Sequence, residues 1–153
     1  MKQWRFILVC VIAVFAVLQA FNPAPVNPPV TADLVAAMHP PAAVAAALHA
    51  ACYDCHSNAT RWPLYARVAP VSWLIASDVK AGRQHLNFSE WPAEPARAAR
   101  DLDRVNEVVD YREMPPRKYA LLHADARLDE AQRKAVLDWT SQSADAVRPV
   151  TKP

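Results

Sequence analysis

Gly82 is the only glycine in a chain of 153 residues. Sheet proteins need several glycines for their tight hairpin turns, so this scarcity argues against a β-rich fold. Runs of alternating β-branched residues are missing too, which removes the material for a thioredoxin-like βαβ unit. Net charge is equally scarce: once residues 1–21 are set aside with Lys2 and Arg5, 15 basic side chains face 15 acidic ones. No basic stripe is left to hold a nucleic acid, and no strong field to steer a charged partner. Cysteine is limited to Cys10, Cys52 and Cys55.

What the chain has in quantity is alanine and proline. Alanine has the best intrinsic helix propensity, and the 14 prolines punctuate the alanine-rich stretches. The length suits a single domain with a modest core. The expectation is therefore an all-α fold.

Residues 1–5, MKQWR, precede the apolar run FILVCVIAVFAVLQAF at 6–21. A basic start before an apolar stretch keeps the N-terminus in the cytoplasm and sends the downstream chain across the membrane. As a helix the run spans roughly 24 Å, somewhat short of the ~30 Å hydrocarbon core, so length alone does not separate a signal from an anchor. Cleavage after Ala20 would put bulky Leu18 where a small residue is preferred, which tilts the reading to an uncleaved anchor. The alternative is a soluble periplasmic product after cleavage. Val9 before Cys10 is not the small residue of a lipoprotein signal.

Residues 22–38 read as a proline-rich spacer, with NPAPVNPPV at 22–30 favouring extended polyproline II structure. Such a segment would hold the adjoining domain off the membrane. The domain itself is expected at 39–146, with a tail at 147–153. After Pro40 and Pro41, AAVAAALHAACYDCH predicts a first helix that ends in the cysteines. A second starts after Pro70 and runs through VSWLIASDVKAGRQ, with Gly82 as its plausible stop, and HLNFSEWP is loop. The third runs from about Ala93 to Glu113 on Leu102, Val105 and Val109, and must end near Met114 because Pro115 and Pro116 come next. The last opens at Asp129, with Gln132 placed to complete a capping box. Leu48 on the first helix and Trp139 on the last are the expected contact between them.

The string Cys52-Tyr53-Asp54-Cys55-His56 admits three chemistries: a dithiol redox pair, half of a zinc site, or covalent attachment of haem. The dithiol needs the absent βαβ framework. Zinc needs four ligands, usually two close pairs, and His39, His49 and Cys10 do not supply a second pair. Haem attachment needs two thiols spaced for two vinyl groups and a histidine directly after them to ligate the iron. Cys52, Cys55 and His56 provide all three, and export suits a linkage made outside the cytoplasm.

One histidine leaves the sixth iron position open. Met114, beside two prolines that stiffen its backbone, is the candidate distal ligand, as methionine is in cytochromes c. Met38 lies just before the motif helix, and His49 two helical turns before His56, so both are poorly placed for the opposite face. His85 and His123 are the remaining alternatives. Trp62, Trp73 and Trp139 could wall a haem or fill the core. Arg61, Arg67 and Arg83 could meet its propionates.

The blocks NPPVTA, ACYDCHSNATRWPLY, VAPVSWLIASDVKAGRQHLNFSEW, REMPP and LDEAQRKAVLDW, in this order between about Asn27 and Trp139, resemble the bacterial cytochrome c-like haem-binding domain proteins. The resemblance implies an all-α, cytochrome c-like domain around one covalent haem c. It also implies thioether links at Cys52 and Cys55, His56 as proximal ligand and Met114, by position, as distal ligand. The functional expectation is a one-electron carrier, not an enzyme, on the periplasmic side of the cytoplasmic membrane, exchanging electrons with redox partner proteins. The competing expectation is a haem sensor or peroxidase-like enzyme with a displaceable sixth ligand. A third is a haem domain that serves as a partner within a larger membrane complex.

Overall fold

Alanine and proline divide the chain much as their propensities demand. The computed structural model describes residues 2–149, and among these no strand forms. Met1 and residues 150–153 of the expected tail lie outside the described residues. Within the described residues eight α-helices succeed one another: α1 (Lys2–Ala20), α2 (Leu34–Met38), α3 (Ala42–Ala51), α4 (Tyr53–His56), α5 (Val71–His85), α6 (Pro95–Asp110), α7 (Arg117–Leu122) and α8 (Glu130–Val147). Short 3-10 turns occupy Leu64–Arg67 and Ala124–Ala126. A parallel bridge joins Ala32 to Glu90.

The helix ends are written in local chemistry. Glu94 caps α6 by accepting from the backbone N–H of Ala96 and Arg97, and Pro95 fills the first helical position, where a missing donor costs nothing. Asp129 and Gln132 close a reciprocal capping box at α8. Asp33 caps the short α2 by accepting from Ala36 N–H.

The core lies where α6 packs on α8 and α8 on α3. Ala98, Leu102, Val105 and Val109 recur every three or four residues on α6, and all are buried. Val44, Ala47, Leu48 and Ala51 do the same on α3. From α8 come Val136, Thr140 and Ala144. Asn106 ties the two long helices by donating to the Leu137 carbonyl at 2.8 Å and the Thr140 hydroxyl at 2.7 Å. The motif helix and the last helix do pack together, and Leu48 and Trp139 belong to the same core.

Three expectations change. The single motif helix is two helices, because Cys52 leaves helical geometry at φ −124°, ψ −40° and α4 restarts for one turn. Gly82 is not a stop: α5 continues to His85. The segment at 22–38 is extended through residue 30 but is not a free spacer. Asn27 donates to the Thr60 carbonyl and accepts from the Trp62 indole N–H and from Arg83, Asn58 donates to the Pro29 carbonyl, and Leu34 is a core residue only 1% exposed. The helices α2 and α7 have no counterpart among the expected elements, being too short for a periodic signal.

Leu102 is fully buried at the α6–α8 contact. Leu102→Ala should lower stability by about 3 kcal/mol through lost burial and a residual cavity, read as a lowered midpoint in chemical denaturation.

Candidate haem site

Cys52 sits in the break between α3 and α4, and Cys55 and His56 close the single turn of α4, where the His56 N–H donates to the Cys52 carbonyl at 2.9 Å. All three side chains therefore project from one short turn of the chain. The two cysteines are half-buried free thiols. Burial, reinforced by the neighbouring Cys55, pushes the Cys52 thiol up to about 12, and burial with the nearby Asp54 pushes Cys55 up to about 11. Both are neutral at physiological pH. Among the described residues no group of three or more His, Cys, Asp or Glu side chains is gathered to cage a metal ion.

The imidazole of His56 is fixed from behind. Its Nδ1–H donates to the Leu86 carbonyl at 3.1 Å, since a carbonyl can only accept. Nδ1 thereby carries the proton and Nε2 keeps its lone pair, the tautomer an iron ligand requires. Burial lowers the His56 pKa below its ordinary value, which also favours the neutral ring. The backbone returns the contact, because Phe88 N–H donates to the His56 carbonyl at 2.7 Å. On these grounds the residues fit a haem bound by two thiols and one imidazole.

Leu86 reaches His56 because α5 lies very close to α4. A Cβ placed on Gly82 would stand 2.5 Å from the Cys55 carbonyl oxygen and 3.0 Å from its carbon. The only glycine of the chain is spent on this approach and not on a turn. The signal was present in the sequence, but its reason was not.

Asp54, between the two cysteines, is the one buried carboxylate of α4. Burial alone would raise its pKa, but bonds from Arg61 and Tyr119 outweigh that and hold it below the ordinary carboxylate range. The Tyr119 hydroxyl donates at 2.6 Å, and the Arg61 guanidinium donates through Nη2 at 2.8 Å while its backbone N–H donates at 2.8 Å. This clamp, which no spacing rule announces, ties α7 to the motif.

The clamp also removes Arg61 from the free propionate partners. Arg83 is committed as well, donating to the Ser57 and Val26 carbonyls, the Asn27 side chain and the Thr60 hydroxyl. Arg67 is exposed. Met114 is half-buried on the turn that ends α6, where Glu113 N–H and Met114 N–H both donate to the Val108 carbonyl at 2.9 and 3.1 Å. Met38 packs against the core. His123 has both nitrogens engaged: Nδ1–H donates to the Tyr119 carbonyl, so Nε2 accepts from the Tyr65 hydroxyl at 3.1 Å. His85 is exposed on α5, and the His49 ring lies against Tyr53 with centroids 4.0 Å apart and planes tilted by 45°. Of the tryptophans, Trp139 joins the core, Trp62 binds Asn27 and Trp73 donates to the Phe21 carbonyl.

Two substitutions check this geometry. Gly82→Ala should destabilise the chain by about 2 kcal/mol, because backbone atoms of Cys55 must yield, with a lower thermal midpoint as the readout. Arg61→Ala, which leaves Asp54 buried with Tyr119 as its one remaining side-chain donor, should cost about 2 kcal/mol, and Arg61→Lys should restore only part of it.

Comparison with known proteins supports haem as the group this chain binds. Cytochrome c peroxidase of Escherichia coli (strain K12) is 27% identical over 100 residues, a match that covers 60% of this chain and 20% of that protein. The chain thus spans about a fifth of the length of this relative. No solved structure matches it. The sequence profile of the haem-binding domain family matches residues 13–142, and the chain belongs to that family.

Proposed function

We propose that the chain carries one covalent haem c, linked through Cys52 and Cys55, with His56 as proximal and Met114 as distal ligand, and works as a one-electron carrier. The observation that carries this reading is the His56 imidazole, whose Nδ1–H is held by the Leu86 carbonyl so that the proton is kept off Nε2, on the same turn as Cys55 and one turn after Cys52. The haem, when bound, supplies an iron that passes between ferrous and ferric states.

The protein's part is to hold the ligands still. The Leu86 carbonyl orients the proximal ring and strengthens its donor character. At the proposed distal ligand, the two hydrogen bonds from the Glu113 and Met114 N–H groups to the Val108 carbonyl, with Pro115 and Pro116 directly after, give the Met114 thioether a backbone with little freedom. A carrier would need this rigidity so that His56 and Met114 could hold the group unchanged in either oxidation state.

The second reading, a peroxidase-like enzyme or a haem sensor, is favoured by the likeness to cytochrome c peroxidase. It requires a distal position that opens and a placed acid or base. His123 is bonded at both nitrogens and His85 belongs to α5, the helix that backs His56, so the carrier reading has the better support.

The exported domain is placed on the periplasmic side of the cytoplasmic membrane, anchored by residues 6–21, where it would exchange electrons with redox partner proteins. The helix α1 is long and apolar enough to cross a membrane, with a mean hydropathy of 1.9 over its 18-residue window.

Optical spectra of protein matured in an exporting host test the ligands. The wild type should show a c-type spectrum with the weak long-wavelength band of methionine bound to ferric iron, and reduced protein should resist carbon monoxide. Met114→Ala should lose that band and bind carbon monoxide, while Cys52→Ala with Cys55→Ala should lose haem staining on denaturing gels. A wild-type spectrum that is high-spin would overturn the carrier in favour of sensor or enzyme.

A further inference from the structure

The end of α1 is bonded to the domain. Gln19 donates to the Ala69 carbonyl at 3.3 Å and accepts from the Ala69 N–H at 3.0 Å. Asn22 donates to the Arg67 carbonyl, and the Trp73 indole N–H donates to the Phe21 carbonyl at 3.1 Å. These bonds press residues 67–73 against the last turn of the apolar helix.

Apart from the exposed Arg67, the surface around this stretch is apolar and uncovered. Leu64 is 84% exposed, Leu74 56%, Val71 46% and Val68 42%. Val71 and Leu74 stand one turn apart on a single face of α5, and Trp73 beside them is 37% exposed. From Val68 to Ser77 no residue carries a charge. Exposed apolar surface of this kind marks a binding face.

We propose that Leu64, Val68, Val71, Trp73 and Leu74 form a lip that rests in the outer interface of the membrane from which α1 emerges. The lip rests on the anchored reading above. Lipid is its occupant because it continues the apolar surface of α1: a patch one hydrogen bond from the end of a membrane span lies at the depth where that span leaves the hydrocarbon. A largely apolar surface with an indole beside it and the exposed Arg67 within it suits that layer, where tryptophan places its ring in the apolar zone and its N–H among polar groups and a basic side chain meets the headgroups. The bonds from Gln19, Asn22 and Trp73 then seat the domain in one orientation. The extended segment at 22–30, held along the domain, gives it no slack.

The test uses the full haem-loaded chain in phosphatidylcholine vesicles doped with a phosphatidylcholine that carries a photoactivatable group near the top of its acyl chain. Intact mass is measured first, and adducts are then mapped on tryptic peptides. The lip predicts adducts on the peptide from Val68 to Lys80 as well as on α1. Leu64→Glu with Leu74→Glu should lose the former and keep the latter, with an unchanged haem spectrum. Adducts confined to α1 would overturn the lip and leave the face to a protein partner. A mature protein lacking residues 1–21 would overturn the anchored reading and the lip together.

Discussion

The backbone contact between α5 and α4 is the constraint on which the site depends. At Gly82 the two helix backbones approach so closely that a Cβ would enter the Cys55 carbonyl. One turn further on, Leu86 presents its carbonyl to His56, and two residues beyond that Phe88 N–H returns a bond to the His56 carbonyl. Widening the contact by a methyl group would move all three. The proton position on the imidazole, and with it the availability of Nε2, thus depends on how near two helices can come.

A second tie holds the same turn through its buried carboxylate. Asp54 is buried between the cysteines and would be costly as a lone charge, so Arg61 and Tyr119 must both be in place for the motif turn to be stable. Tyr119 lies on α7, just beyond the Met114-Pro115-Pro116 stretch, so the carboxylate of α4 holds the start of the segment next to the candidate distal ligand. Arg83 does the comparable work for the proline-rich segment, joining residues 26 and 27 to Ser57 and Thr60. The polar side chains around the motif are therefore structural fasteners. Two of the three arginines that look available for propionates in the sequence, Arg61 and Arg83, have partners in the fold, while Arg67 is exposed.

Seated this way, the N-terminal quarter of the molecule is continuous with the domain. The proline-rich composition does prevent helix and sheet between residues 22 and 30, since prolines lack donors and favour extended geometry. It does not set the segment free, because its carbonyls and Asn27 remain able to accept and donate. Composition governs the backbone conformation of such a segment, while the side chains opposite it govern whether it is bound.

By itself the sequence determined the helical class, the start of α8 at Asp129, most of the loop that follows α5 and the five-residue motif from Cys52 to His56. These are local: propensity, capping residues and a five-residue motif act over one or two turns and leave their mark in adjacent letters. The tertiary structure alone decided the break at Cys52, the role of Gly82, the choice of the Leu86 carbonyl for His56, the clamp on Asp54 and the docking of Asn27. Most of these join residues that are distant in the chain, 27 apart for Gly82 and Cys55 and 65 apart for Asp54 and Tyr119. A close approach or a buried ion pair exists only once two segments share a place in space, and no local pattern records which segment will arrive there.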